Sequence, residues 1–492
     1  MRRFVVIRTM LAVAAISLAF AGAIAAAEPS SPPQPNEPTA AQATVRDFGA
    51  VGDGAADDTA AIQRAIDAAT NLRSVPGDVC FPRGVYRISR PLVVDLDKVG
   101  PTSLAGSGTA RILMAGPGPA IKFIGTHGGT ADPASVQPNV WERQRMPTVD
   151  GLEIVGAHEE AVGIEATGTM QLVITRVNVR EALDGIRLTV RNRNVLVANC
   201  HLYKNRGVGL YLDNVDLHQI NVSNCHVSYN AGGGIVVRAG NVRNLQVTGC
   251  DVEGNMPLFG RAPAEGTSSP VAAAEEAPPT ANILIDCAGG SAGTAEVAIT
   301  GCTIQHTHAA VDSANIRFLG LDSSDRRWGH LVIANNVLSD VQINVDIQLA
   351  RGVSIVGNTF WMGVQHNLRI VDSTNVVVGP NVMDRNPRYQ DEASADDGVL
   401  VRNCQDSTFT GLHVNGVRRK EAAVIFEDCR RLNVTGCTIL DCDHAGLLLR
   451  NVTDSRVSDC LIRNDLPDVD SWIPLKVIGG ENTIVDNQLG DR

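Results

Sequence analysis

Between residues 195 and 252 apolar and polar side chains alternate, and the same phrase is spoken three times. Val195, Ile220 and Leu245 align, as do Val197, Val222 and Val247, then Cys200, Cys225 and Cys250, then Leu202, Val227 and Val252, at a constant step of 25 residues. Such alternation is strand periodicity, because successive side chains of a strand point to opposite faces. The phrase returns with drift as VITRVNV from 173, VAITGCTI from 297, LVIANNVL from 331, VSIVGNTF from 353, STFTGLHV from 407, LNVTGCTI from 432 and SRVSDCLI from 455. Valine, isoleucine, threonine, asparagine and glycine dominate these segments, with neither a 3.6-residue period nor a leucine skeleton. The pattern predicts an all-β solenoid, a single-stranded parallel β-helix of about a dozen coils stacked about 4.8 Å apart.

Asn205, Asn230 and Asn255 fall together at the turn after the shared strand and are expected to form an internal asparagine ladder. A second strand follows in each coil, in DGIRLT from Asp184, GVGLYLD from Gly207 and GGIVVR from Gly233. Its outward positions are Arg187, Tyr211 and Val236 in one column and Thr189, Asp213 and Arg238 in the next. A guanidinium can fork onto a sugar carboxylate and a phenol ring can pack on a pyranose, so this face is the candidate substrate surface. The inward or outward sense of the first strand places His201, His226 and Asp251 outward, one above another, beside Tyr203.

The segment VRDFGAVGDGAADDTAAIQRAIDAA, residues 45–69, offers Asp57 or Asp58 as a cap for a helix over 57–69, with Ile62, Ala65, Ile66 and Ala69 on one face. An amphipathic helix there would close the exposed end of a solenoid. Phe48, Gly49, Ala50, Gly52, Asp53, Gly54, Asp57, Asp58 and Thr59, followed by VCFPRGVYRIS at 79–89, closely resemble the opening of the pectate-lyase-superfamily domain of rhamnogalacturonase and epimerase-like proteins. That resemblance implies a capping α-helix, a right-handed parallel β-helix over 44–492, and a carbohydrate ligand, most of all an acidic polysaccharide. It is weak for reaction, because enzymes and phage tail fibres share the motif.

Charge and processing signals narrow the setting. Arg2, Arg3 and Arg8 precede an apolar run ending in Ala25-Ala26-Ala27, which reads as a Sec signal peptide over 1–27, cleaved near Ala27, so the protein is expected to be secreted or periplasmic. A proline-rich leader over 28–43 follows, and no later run is long and apolar enough to span a membrane. The full chain carries a net charge of -11, which argues against a nucleic-acid partner. Locally the sign reverses: Arg176, Arg180, Arg187, Arg191, Arg193, Lys204 and Arg206 meet only Glu181 and Asp184 between 171 and 206, a setting for an anionic ligand. Two segments break the rhythm, 126–149 and 257–281, both expected to be mobile insertions, with Trp141 in the first placed to touch a ligand.

The catalytic set expected from these residues is Asp184, Arg187, Tyr211, Asp213 and Arg238, with His201, Tyr203, His226 and Arg180 as substrate contacts. A lyase needs a base beside a uronate carboxylate and a cation to stabilise the charge that builds up. No metal site is expected; calcium enters only conditionally, through Asp184 or Asp213. LDGIRL resembles the first polygalacturonase motif, with Asp184 as its aspartate, but the paired carboxylates, Gly-His-Gly and Arg-Ile-Lys of that family are missing. Asp396 and Asp397, with His444, lie roughly eight coils from Asp184, too far for two carboxyl groups that should stand about 6.5–9.5 Å apart. Leu400, Ile425 and Leu448 are expected to form an exposed apolar stripe flanked by Arg402, Glu427 and Arg450, which suggests a homotrimer through the C-terminal coils. The function expected is cleavage or modification of an acidic polysaccharide by a lyase or glycoside hydrolase; the alternative is a non-catalytic, carbohydrate-binding or adhesive β-helix of tail-fibre type. Which sugar, which bond and how the 11 cysteines pair are left open by the sequence.

Overall fold

The computed structural model describes residues 44–69, 77–129, 131–257, 280–290, 293–322, 328–388, 395–467 and 471–490. The expected signal peptide, the leader and most of the insertion at 257–281 lie outside the described residues. Each repeat of the alternating phrase is a strand paired in parallel with its counterpart in the next coil. Val195 pairs with Ile220 and Ile220 with Leu245, Val197 with Val222 and Val222 with Val247, all fully buried or nearly so. That column of strands runs unbroken from Asp78–Cys80 to Asn482–Val485, fifteen strands deep, somewhat more than the dozen coils expected. Two further columns close each coil: the short strands such as His201–Tyr203 and His226–Ser228, and the second strands such as Gly233–Arg238. In the early coils the second strand runs on into the column of Val195 and Ile220, the third column of each coil, as one bent strand, Ile186–Ala198 or Val208–Ser223.

The corners explain the composition. Asn199, Asn224 and Gly249, or Asn335 and Gly357 further on, take positive φ at the same corner, where asparagine and glycine meet the least steric cost. At the asparagine turn the left-handed residue is the one before the ladder, Lys204, Tyr229 or Gly254. The bend expected of Asn205, Asn230 and Asn255 themselves is thus made by their neighbours, which frees each carboxamide to turn inward. Asn205 donates to Asn230 Oδ1 at 2.8 Å, Asn230 to Asn255 at 2.7 Å, and Asn255 to Asn282 at 3.0 Å. Asn282, Asn315, Asn344 and Asn367 continue the ladder with links of 2.8, 2.7 and 2.8 Å. Each amide also reaches a main-chain carbonyl, Asn230 to Leu202 and Asn255 to Val227, so polar groups with no access to water are satisfied.

A second inward column lies at the other corner. It carries Val177, then Cys200, Cys225, Cys250 and Cys302, then Asn336, Asn358 and Asn381, then Leu412, Cys437, Cys460 and Asn487. Its asparagines form their own ladder, with Nδ2 to Oδ1 links of 3.0 Å from Asn336 to Asn358 and 2.9 Å from Asn358 to Asn381. Where thiol gives way to amide, the Cys302 backbone N–H donates to Asn336 Oδ1 at 3.0 Å. All eleven cysteines are free thiols.

The capping helix spans Thr59–Ala68 and buries Ile62, Ala65 and Ile66 against the first coil. Asp57 and Asp58 divide the work at its start. Asp57 Oδ1 accepts from Thr59 N and Oγ1, and its Oδ2 from Ser89 Oγ at 2.6 Å, while Asp58 accepts from Val51 N and Gly52 N and so fixes the preceding turn. At the opposite end no further coil among the described residues covers the last strands, and Val477, Ile484 and Leu489, in line with inward residues of the previous coil, are about 40% exposed. Among the described residues no helix is long and apolar enough to cross a membrane.

The excursion at 126–149 is fastened to the solenoid. It holds a turn at Pro133–Ser135 and a helix at Pro138–Arg143, after which the buried Gln144 accepts from Thr126 N at 2.9 Å and donates to Asp97 at 3.0 Å. The expected stripe of Leu400, Ile425 and Leu448 does occupy one column, but Leu448 is fully buried against Ala422, Ala445 and Ile425. The apolar residues exposed near the C-terminus are instead those of the last described coil, among them Ile473, Val477 and Ile478.

Candidate functional site

The second strand column brings the expected catalytic residues onto one face. Arg187 pairs in register with Tyr211, and Asp213 with Arg238 one coil on. The Arg187 guanidinium lies 5.7 Å from the centre of the Tyr211 ring and is ion-paired with Asp213, its Nε 3.0 Å from Oδ2. Arg238 stands 3.8 Å from Asp286. Asp184 is 6% exposed, at the turn before the strand, and accepts the Val208 N–H at 2.8 Å. Burial pushes its carboxyl above the usual range, against the Val208 hydrogen bond and the nearby Arg187, and burial followed by Asp213 pushes the Tyr211 phenol up. A carboxyl and a phenol held toward their protonated forms beside an ion pair are groups suited to moving protons.

Arg176, Arg180, Arg187 and Arg206 do not offer free charge to a sugar acid. The basic excess of residues 171–206 is answered by carboxylates and carbonyls of neighbouring coils: Arg176 by Asp150, Arg180 by Glu153 at 2.9 Å, Arg187 by Asp213, Arg191 by Asp216, and Arg206 by the carbonyls of Glu181 and Glu159. These partners lie mostly some 25 residues away in sequence, so counting charges along a window misses them. Of the other expected contacts, Tyr203 sits half-buried between Arg180 and Ser228 in register. His201 and His226 stack with ring centres 5.0 Å apart, and His226 Nδ1 is 3.4 Å from Asp251. Burial and the His226 ring push His201 down, so this is a stacked outward ladder. Asp396 is held by Arg419 at 2.8 Å and Lys420 at 3.1 Å, whereas Asp397 is buried, accepts Gly363 N at 3.0 Å and pairs with Arg385. His444 lines a separate cleft with Arg419, Glu421 and Lys476.

A surface that the sequence reasoning missed runs along the third column. Gln171, Asn194, Gln219 and Asn244 stand one per coil at a left-handed corner, φ 55 to 69°, with Asn221 and Gln246 beside them, and line a trough of about 430 Å³. Exposed Met146 and Leu196 supply its apolar floor, and no titratable side chain lines it. A neighbouring hollow shares Asn194 and is walled by Trp141, 46% exposed, from the excursion. The same column turns charged further on, at Glu296, His330, Asp406, Arg431 and Asp454. The signal available in the sequence was that four successive coils put a neutral amide at one fixed position.

The calcium weighed from the sequence finds no converging ligand set among the described residues. Among the described residues no group of three or more His, Cys, Asp or Glu converges as ion ligands. Asp184 and Asp213, named for calcium, are engaged by Val208 N–H and Arg187. The thiols of the Cys200 column are core residues: hydrogen bonds along it, then burial, push Cys225 and Cys250 up to about 12, while the hydrogen bond with Cys225 lowers Cys200.

Two family models match separate parts of the chain: the right handed beta helix region over residues 142–271, and the periplasmic copper-binding protein (NosD) over residues 294–492. The second match covers Cys302, Cys404, Cys429, Cys437, Cys442 and Cys460, which are buried in the solenoid core, and among the described residues they join no group of three or more potential ion ligands. Mannuronan C5-epimerase AlgE3 of Azotobacter vinelandii is 62% identical over 45 residues, 9% of this chain, and the match spans 2% of that relative's length. A tailspike protein of E. coli bacteriophage HK620 is similar in structure with a TM-score of 0.52 at 13% identity, over 88% of this chain and 78% of that one. The A-module of mannuronan C-5 epimerase AlgE4 of Azotobacter vinelandii has a TM-score of 0.38 at 15% identity, over 91% and 100% of the two chains. With its unbroken parallel columns and inward ladders, the chain is a right-handed parallel β-helix protein.

Proposed function

We propose that this is an exported, polysaccharide-acting β-helix that seats a glycan lengthwise in the amide trough and packs it against Trp141. The observation that carries the proposal is the row Gln171, Asn194, Gln219 and Asn244, because each coil advances about 4.8 Å and so offers one donor–acceptor pair per step along an extended sugar chain. Trp141 supplies the flat apolar face that such chains stack on. Cleavage or modification, as a lyase or glycoside hydrolase acting on an acidic polymer, falls to Asp184, Arg187, Tyr211, Asp213 and Arg238, with His201, Tyr203, His226 and Arg180 on the adjoining face.

A second reading, a non-catalytic polysaccharide binder, is favoured by the absence of any titratable group from the trough lining and by the pairing of Arg187 with Asp213. Pectins, alginate and other uronans, assayed for unsaturated product, for new reducing ends and for binding by affinity electrophoresis, separate the two. Turnover that is lost in Asp184→Asn and Tyr211→Phe supports the catalytic reading. Binding without turnover, weakened about tenfold by Trp141→Ala, supports the second. A chain that neither binds nor turns over any of the panel refutes both.

A further inference from the structure

Arg191 and Arg193 lie on the short segment that joins the second strand column to the third. Asn192 between them points inward and is fully buried, its Oδ1 accepting from Thr169 Oγ1 at 2.7 Å, so both guanidiniums emerge on the same outer facet. Register continues the facet with Asp216 next to Arg191 and His218 next to Arg193. Outward does not mean exposed here, because the excursion that carries Trp141 covers them. Arg193 is 6% exposed and donates from Nη2 to the Ala131 carbonyl at 2.8 Å, while His127, 2% exposed, is held by its own N–H to the Gly168 carbonyl at 2.9 Å.

Several side-chain nitrogens under this cover have nothing to bind. Arg191 Nε and Nη2, both ring nitrogens of His127, and Nδ1 of His218 are buried without a hydrogen-bond partner. Asp216 meets Arg191 through Nη1 alone, accepts from Asn241 Nδ2 at 3.2 Å and is itself half-exposed, and Asp132 sits exposed at the rim, so the carboxylates face water. Burial first, then Arg191 and Arg193, hold His127 down to about 4, which leaves it a neutral ring able to donate one N–H. A concentration of buried, unpartnered donors on one facet, beside two guanidiniums, is a costly arrangement for a fold to keep unless an acceptor-rich group occupies it.

We propose that Arg191, Arg193, His127 and His218 form an oxyanion site beneath the excursion, taking the carboxylate, sulfate or phosphate of an acidic glycan or the same chemistry as a free inorganic ion. Arg193 also lines the hollow walled by Trp141, so an acidic substituent there would be continuous with a chain in the trough. The glycan source rests on the polysaccharide-binding proposal; the anion site itself does not.

The test uses the full-length protein at constant ionic strength, with inorganic sulfate, inorganic phosphate, an acidic uronan oligosaccharide and a neutral oligosaccharide, read by calorimetric titration and by the thermal unfolding midpoint. Saturable sulfate or phosphate binding, weakened roughly tenfold to a hundredfold in Arg191→Gln and in His127→Phe, is the expected result. Competition between sulfate and the uronan oligosaccharide assigns the site to the glycan. Ion binding that the uronan does not affect assigns it to the free ion. Sulfate and phosphate that raise the midpoint without saturating, equally in wild type and His127→Phe, overturn the site. Trough binding of the neutral oligosaccharide, sensitive to Trp141→Ala, would then leave the proposed function standing without it.

Discussion

Replacing Asn255 by leucine, a side chain of similar volume, is expected to destabilise the solenoid by about 2–6 kcal/mol. The carboxamide of Asn255 accepts from Asn230 Nδ2 at 2.7 Å and from the Asn230 backbone N–H at 3.2 Å, and it donates to Asn282 Oδ1 at 3.0 Å and to the Val227 carbonyl at 2.8 Å. Leucine removes all four bonds and strands two donors of Asn230 in a fully buried place, its backbone N–H and one Nδ2 hydrogen, at a cost of about 1–3 kcal/mol each. Asn367, at the end of the ladder, accepts one Asn344 Nδ2 hydrogen at 2.8 Å and donates only at 3.4 Å, so Asn367→Leu strands a single donor and should cost half as much, about 1–3 kcal/mol. Urea unfolding followed by far-ultraviolet circular dichroism measures both, and hydrogen exchange at the Asn230 amide should quicken only in the Asn255 variant. A loss below about 1 kcal/mol at Asn255, or an equal loss at Asn367, would refute the claim that the ladder stabilises through buried satisfaction.

Other outcomes follow from the same contacts. Hydrogen bonds from Ser89 first, then Thr59, lower Asp57 from 3.8 to about 2. A folded value below the unfolded one means this contribution is fully present above about pH 4 and is lost as pH falls through about 2. The thermal midpoint should therefore drop over that window, and Asp57→Asn should flatten the drop. Eleven thiols should react once the chain is unfolded under non-reducing conditions, while the native protein reacts slowly at all but the half-buried Cys80; fewer than eleven would reveal disulfides. Mass measurement in solution tests the proposed trimer. If it forms, Ile478→Lys should dissociate it, and a purely monomeric wild type would remove the idea.

The fold could be read from the sequence because it is written as a period. Val195, Ile220 and Leu245 share a column in the sequence and in space for the same reason, a constant step that keeps every side chain on its face. The ladder was legible only where that step held. Asn205, Asn230 and Asn255 are 25 residues apart, but Asn282 and Asn315 follow after 27 and 33, across loops of irregular length. The site was harder, because its electrostatics run between coils. Arg187 looks like a free cation beside Tyr211 until Asp213, on the next coil, is seen to hold it. Packing along a column also defeats periodicity: the alternation puts Leu448 on the outer face, and the strand residues Ala422, Ala445 and Ile425 then remove it from water.

The column that carries Cys200, Cys225, Cys250 and Cys302 and then Asn336, Asn358 and Asn381 makes each coil an interchangeable part. A thiol above an amide is already a satisfied joint, since the Cys302 N–H meets Asn336 Oδ1. Gain or loss of one whole coil by duplication or deletion would therefore present every seam with a neighbour it already tolerates. In such a chain length is a count that heredity can change by one, with no other seam to be renegotiated.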